Sequence, residues 1–134
     1  MDDDPAGPPP VIMTRYAYDT PGNRTLHEAA NGVWTTTEFD ALNRVKSIVA
    51  KAGNGAGTTI YDLSTKYDRT GNRRSATETV HGQTARSITW SYDGLYRLTG
   101  ESWIGPLAQA RTYTYDPAGN RLSRPSRSRA IRRL

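Results

Sequence analysis

One short pattern recurs five times in this chain, and a motif repeated in phase restricts a fold more than any single residue does. The copies are Tyr18-Asp19-Thr-Pro-Gly22-Asn23-Arg24, Phe39-Asp40-Ala-Leu42-Asn43-Arg44-Val45, Tyr67-Asp68-Arg-Thr-Gly71-Asn72-Arg73, Tyr92-Asp93-Gly-Leu95-Tyr96-Arg97-Leu98 and Tyr115-Asp116-Pro-Ala-Gly119-Asn120-Arg121-Leu122. The aromatic–Asp pairs begin at 18, 39, 67, 92 and 115, so the spacings are 21, 28, 25 and 23 residues. The first, third and fifth copies read Tyr-Asp-x-x-Gly-Asn-Arg. The second and fourth carry Leu in place of the Gly and run into a branched residue after the Arg. Such alternation implies a structural unit of two turns, roughly 50 residues long.

The motif reads as a β-hairpin turn. Aromatics two apart, as in Tyr16/Tyr18, Trp90/Tyr92 and Tyr113/Tyr115, share one face of an incoming strand. The Asp that follows is suited to accept main-chain N–H groups in an Asx-type turn. Pro21 and Pro117 fit the fixed φ of an early turn position. Gly-Asn supplies the two residues best able to adopt positive φ. The Arg opens the returning strand, where its stem is expected to lie across the ring of the preceding turn's Tyr. The opposite hairpin ends carry looser turn chemistry at Asn31-Gly32, Gly53-Asn-Gly-Ala-Gly57, His81-Gly82 and Ile104-Gly-Pro-Leu. Strands are expected over 33–40, 44–50, 58–67, 73–80, 85–92, 97–104 and 110–115, with no helical periodicity. The fold class is all-β: antiparallel hairpin repeats in a curved, open sheet.

Composition agrees with a thin β structure. Leu, Ile, Val and Phe together number 20 of 134 residues, below the fifth expected of a packed globule. The eight Tyr, three Trp and seventeen Thr are residues of pleated, half-buried surfaces. Formal net charge is +5, but residues 121–134 hold six Arg and no acid, leaving the body at −1. A basic tail is therefore the one nucleic-acid or anionic-surface candidate, and the body is not. Residues 1–10, acidic and Pro-rich, and the Arg-rich 123–134 are expected to be disordered, flanking five repeats over 11–122.

These phased copies resemble the YD repeats of the Rhs and insecticidal-toxin-complex proteins and of teneurins. The resemblance spans about residues 12 to 124. It implies an arc of a hollow shell that encloses a toxin, a fragment or orphan copy of that shell. It also implies contact with cell-surface carbohydrate. The partners expected are other repeat segments, or a second copy, seeking the open sheet edges. The resemblance further implies a secreted or cell-surface setting. No signal sequence or membrane span is visible, so accumulation in the cytoplasm is the alternative expectation. The self-cleaving motif of full shells is not matched, because Asp116-Pro-Ala-Gly119 runs straight into Asn120-Arg121 as a fifth repeat.

No catalytic constellation is legible, and the expectation is a non-enzyme without cofactor or metal. Five Asp in equivalent turns (19, 40, 68, 93, 116) read as caps, since an acid/base pair needs two residues made special by environment. Each turn offers one carboxylate, too few for calcium. There is no Cys, and His27 and His81 have no partners at ligand spacing. The motif residues Tyr18, Asp19, Gly22, Asn23, Arg24, Phe39, Asp40, Arg44, Tyr67, Asp68, Gly71, Asn72, Arg73, Tyr92, Asp93, Arg97, Tyr115, Asp116, Gly119, Asn120 and Arg121 are structural. Trp34, Trp90 and Trp103 are the candidate ligand-stacking residues, weighed against a role in the core.

Overall fold

The computed structural model describes residues 13–106 and 108–122. Both terminal segments expected to be disordered, and with them the basic tail beyond Leu122, lie outside the described residues. Within them the chain is a nine-stranded antiparallel meander: β1 (Arg15–Tyr18), β2 (Arg24–Glu28), β3 (Trp34–Phe39), β4 (Val45–Lys51), β5 (Thr59–Tyr67), β6 (Arg73–Val80), β7 (Arg86–Tyr92), β8 (Leu98–Ile104) and β9 (Gln109–Thr112). Spatial order equals chain order, so the sheet is open, with β1 and β9 at its edges. No helix occurs among the described residues. The all-β, open-sheet expectation holds, and six expected strands (β3, β4, β5, β6, β7, β8) match to within one residue at each end.

Because every connection is a hairpin, the odd-numbered strands all run into the same end of the sheet. The five motif copies therefore line up there, and the four looser turns line up at the other end. Adjacent motif turns are two strands apart, about 10 Å. The chain starts back after the fifth turn, where Tyr115 bridges Arg121 and the Leu122 N–H donates to the Thr114 carbonyl at 2.8 Å.

Strand alternation divides the sheet into two unlike faces. Register places Ala50 opposite Tyr61, Ala76 opposite Ile88, and Ile88 opposite Trp103, so these residues share one face with Ile48, Leu63 and Trp90. The other face carries Thr36, Ser64, Thr77, Thr89 and Ser102, almost all exposed. Among the described residues only Ala50, Ala76 and Tyr113 are buried apolar positions, and no large side chain is fully enclosed. The sheet is a single layer with a ring-bearing face that nothing in the described chain covers. Two-layer burial is the usual way to stabilise such a face.

One close contact anchors the far end. A Cβ placed on Gly55, which sits at φ +79, would lie 2.6 Å from Trp34 Cε3. The 53–57 loop thus folds onto the indole only because the residue has no side chain. Gly55→Ala is expected to cost about 2 kcal/mol, from left-handed strain plus displacement of the ring. A melting curve with a shift in Trp emission is the check.

Candidate functional site

The turn end is where the chain concentrates its polar bonding, and all five turns are built alike. In each, the Asp N–H donates to the carbonyl four residues on, at 2.9–3.0 Å, and the N–H three residues on donates back to the Asp carbonyl, at 3.0–3.2 Å. The Asp carboxylate then accepts the N–H of the fourth residue: Asn23 at 2.7 Å, Arg44 at 3.0 Å, Asn72 at 2.8 Å, Arg97 at 2.9 Å and Asn120 at 2.7 Å. The aromatic before each Asp pairs with the fifth residue after it, as Tyr67 does with Arg73 and Tyr115 with Arg121. In the first four turns the register slips by one residue just before that aromatic.

This geometry corrects the sequence alignment of the two motif flavours. The residue at positive φ is always the third after Asp: Gly22 (94°), Asn43 (58°), Gly71 (97°), Tyr96 (61°) and Gly119 (89°). Asn43 and Tyr96, not Leu42 and Leu95, therefore stand where Gly stands in the odd turns. Asn23, Asn72 and Asn120 are not in the left-handed region, so only one motif residue per turn needs it. In odd turns that Asn side chain donates Nδ2–H to the second carboxylate oxygen, at 3.0, 3.1 and 2.9 Å. In even turns the Arg takes over that place, donating Nε–H at 2.7 Å from both Arg44 and Arg97. Leu42 and Leu95 are instead exposed turn tips.

These donors set the titration of the caps. The Thr70 hydroxyl, then Asn72, hold the Asp68 carboxyl down at about 2. Asp93 is lowered by the Arg97 main-chain N–H and guanidinium, and Asp116 by the Asn120 side chain and N–H. At Asp40 partial desolvation pushes upward, and the Arg44 and Leu42 donors overcome it, leaving the carboxyl below its ordinary value.

Neighbouring turns are stitched to one another. The motif tyrosines donate their hydroxyls to the carbonyl of the residue that opens the previous returning strand: Tyr67 to Val45 at 2.8 Å, Tyr92 to Arg73 at 2.9 Å, and Tyr115 to Leu98 at 2.7 Å. Phe39 has no hydroxyl, so the first joint lacks this bond, and an Asn23 Nδ2–H to Asn43 Oδ1 bond of 3.0 Å spans it instead. The motif Arg of each even turn leans forward, not back as expected. Arg44 lies over Tyr67 at 4.4 Å and Arg97 over Tyr115 at 4.7 Å, close enough for cation–π attraction. Arg24 and Arg121 instead lie over Tyr16 and Tyr113, two residues before the motif aromatic.

The three tryptophans do not form one platform. Trp34 opposes Lys51 on the Thr-bearing face, under the Gly55 loop. Trp90 and Trp103 share the other face, where Arg86 lies 5.3 Å over the Trp103 ring and the buried Trp103 Nε1–H has no hydrogen-bond partner among the described residues. Hollows open between turns at the motif end. One of about 340 Å³ is lined by Asp68, Asn72, Arg74, Trp90, Ser91, Tyr92, Asp93 and Tyr96. Its counterpart between the first two turns is lined by Asp19, Pro21, Thr37, Phe39, Asp40 and Asn43 among others. Tyr96 was missed as a candidate by sequence reasoning, although an aromatic at a Gly or Asn position was the available signal.

No family model matches the chain. Toxin subunit YenC2 of Yersinia entomophaga is 30% identical over 145 residues, an alignment covering 82% of this chain and 15% of that protein. The solved structure of TcdB2-TccC3-TEV superposes with a TM-score of 0.68 at 22% identity, over 81% of this chain and 6% of that one. That of TcdB2-TccC3-Cdc42 gives 0.65 at 23% identity, over 80% and 7%. The chain thus spans 15% of the length of the curated relative it matches, and the two structures bear on its fold alone.

Proposed function

Since the chain is related to the Rhs/YD-repeat proteins of toxin complexes, we propose that it is a structural repeat module, an arc of a larger repeat sheet that works by assembly and not by catalysis. The observation that carries this reading is the open sheet. Among the described residues, a single layer with β1 and β9 as its edge strands and an uncovered ring-bearing face is built to be continued. Its natural partners are further repeat segments or a second copy, adding strands to β1 or β9. The role is that of a shell wall around a toxin, outside the producing cell, with a contact to cell-surface carbohydrate.

The edge itself offers the test. The Tyr113 N–H points inward to the Thr99 carbonyl, so by alternation the N–H groups of Ala110 and Thr112 point outward from β9. Proline at those two positions removes donors that no β8 partner uses. The variant Ala110→Pro/Thr112→Pro is expected to keep the β signature in circular dichroism while its association, read by sedimentation velocity, drops sharply. Undiminished association in a folded variant would exclude β9 as the joining edge.

A further inference from the structure

We propose that the hollow between the third and fourth turns binds an uncharged saccharide ring, with Trp90 and Tyr96 as its stacking surfaces. This names the site of the carbohydrate contact proposed above, and so rests on that reading.

Comparison of the two hollows within the chain isolates what is special. The turn architecture is satisfied by Thr37 two residues before the motif aromatic and by Asn43 three residues after the Asp. Asn suits a left-handed backbone, and in the first hollow it also accepts the bond from Asn23 that closes the joint. At the matching positions the second hollow carries Trp90 and Tyr96. Tyr96 holds a bulky side chain at φ 61°, a conformation that L-residues with large side chains rarely adopt. The residue is 61% exposed, and its side chain has no hydrogen-bond or ring partner among the described residues. The hydrogen bonds of the fourth turn hold this backbone, as those of the second turn hold Asn43, so the turn itself does not call for an aromatic at this position.

The lining selects the chemistry of the ligand. The Asp68 and Asp93 carboxylates are both ionised at neutral pH, and the Asp68 charge, after burial, helps push the Tyr92 hydroxyl up. Two carboxylates disfavour phosphate or sulfate groups, and the Arg74 guanidinium disfavours a cation. A neutral ring with an apolar face and a rim of hydroxyls meets every group present. Its face lies on the aromatics, and its hydroxyls donate to the carboxylates and accept from Arg74 and Ser91. The volume of about 340 Å³ is at the small end of ligand sites, which suits one or two sugar rings.

The test titrates cellohexaose and chitohexaose into the full chain, following Trp emission and ligand-observed NMR, alongside Tyr96→Asn and Trp90→Thr, the residues of the first hollow. At least one probe is expected to bind saturably, and each substitution to weaken it tenfold or more. Tyr96→Asn is expected to melt no lower than the native chain, which separates lost binding from lost fold. Silence from both probes up to about 10 mM, or affinity unchanged in both variants, would overturn the site. So would a heparin hexasaccharide binding where the neutral probes do not. Association measured on the same samples is expected to be unaffected by Tyr96→Asn. A non-associating chain that still binds sugar here would count against the shell reading alone.

Discussion

Acid is expected to take this sheet apart from its motif end, with order intact at about pH 5 and lost near pH 2. Asp40, Asp68, Asp93 and Asp116 all have carboxyls held below their ordinary value, Asp68 at about 2. A carboxyl lowered in the folded state contributes stability that is present above its unfolded pKa of 3.8. That contribution is lost as pH falls below about 4 and through the folded value, which for Asp68 is about 2. The four act together because they occupy equivalent turns on one side of the sheet. Protonation removes an acceptor that serves two or more donors in each turn, freeing adjacent hairpins at once. Circular dichroism against pH is the measurement. A flat signal down to pH 2 would mean that the caps do not hold the turns.

Removing the three tyrosine hydroxyls at once, as Tyr67→Phe/Tyr92→Phe/Tyr115→Phe, is expected to cost about 3 kcal/mol, near 1 for each bond. The three bonds join different turn pairs, so their losses should add. With total stability of about 5–15 kcal/mol for an ordinary domain, a single-layer sheet would lose much of its margin. Each 1 kcal/mol corresponds to about 4–8 °C in a domain approaching this size, so the triple variant should melt more than 10 °C lower. The reverse change has the opposite sign. Phe39→Tyr supplies the hydroxyl that the first joint lacks, facing the Arg24 carbonyl by analogy with the later joints, and is expected to raise the midpoint by a few degrees. Equal melting of the native chain and the triple variant would show the stitch to be incidental.

Much of this was legible before the structure. Phased aromatic–Asp pairs located every motif turn, and the Thr- and Tyr-rich runs between them located most strands. The Asp caps followed from elementary turn chemistry. The equivalence of the two motif flavours did not, because it is defined by backbone conformation and not by letters. Asn43 and Tyr96 do the work of Gly, and the side chains of Arg44 and Arg97 replace that of Asn in serving the second carboxylate oxygen. Which face each ring occupies was equally hidden. Between Trp34 and Trp90 the slips before Phe39 and Tyr67 cancel in parity, and a third slip between Ala50 and Lys51 at the far end leaves the two rings on opposite faces. The forward lean of Arg44 and Arg97 depends on the spacing between neighbouring turns, which no single hairpin encodes.

Continuation of this open sheet at its edges is tested most directly by the solution mass of the purified chain, by size exclusion with light scattering across a range of concentrations. Concentration-dependent oligomers well above 14.8 kDa are the expected result. A compact species holding at 14.8 kDa throughout, with a sharp melting transition, would contradict it.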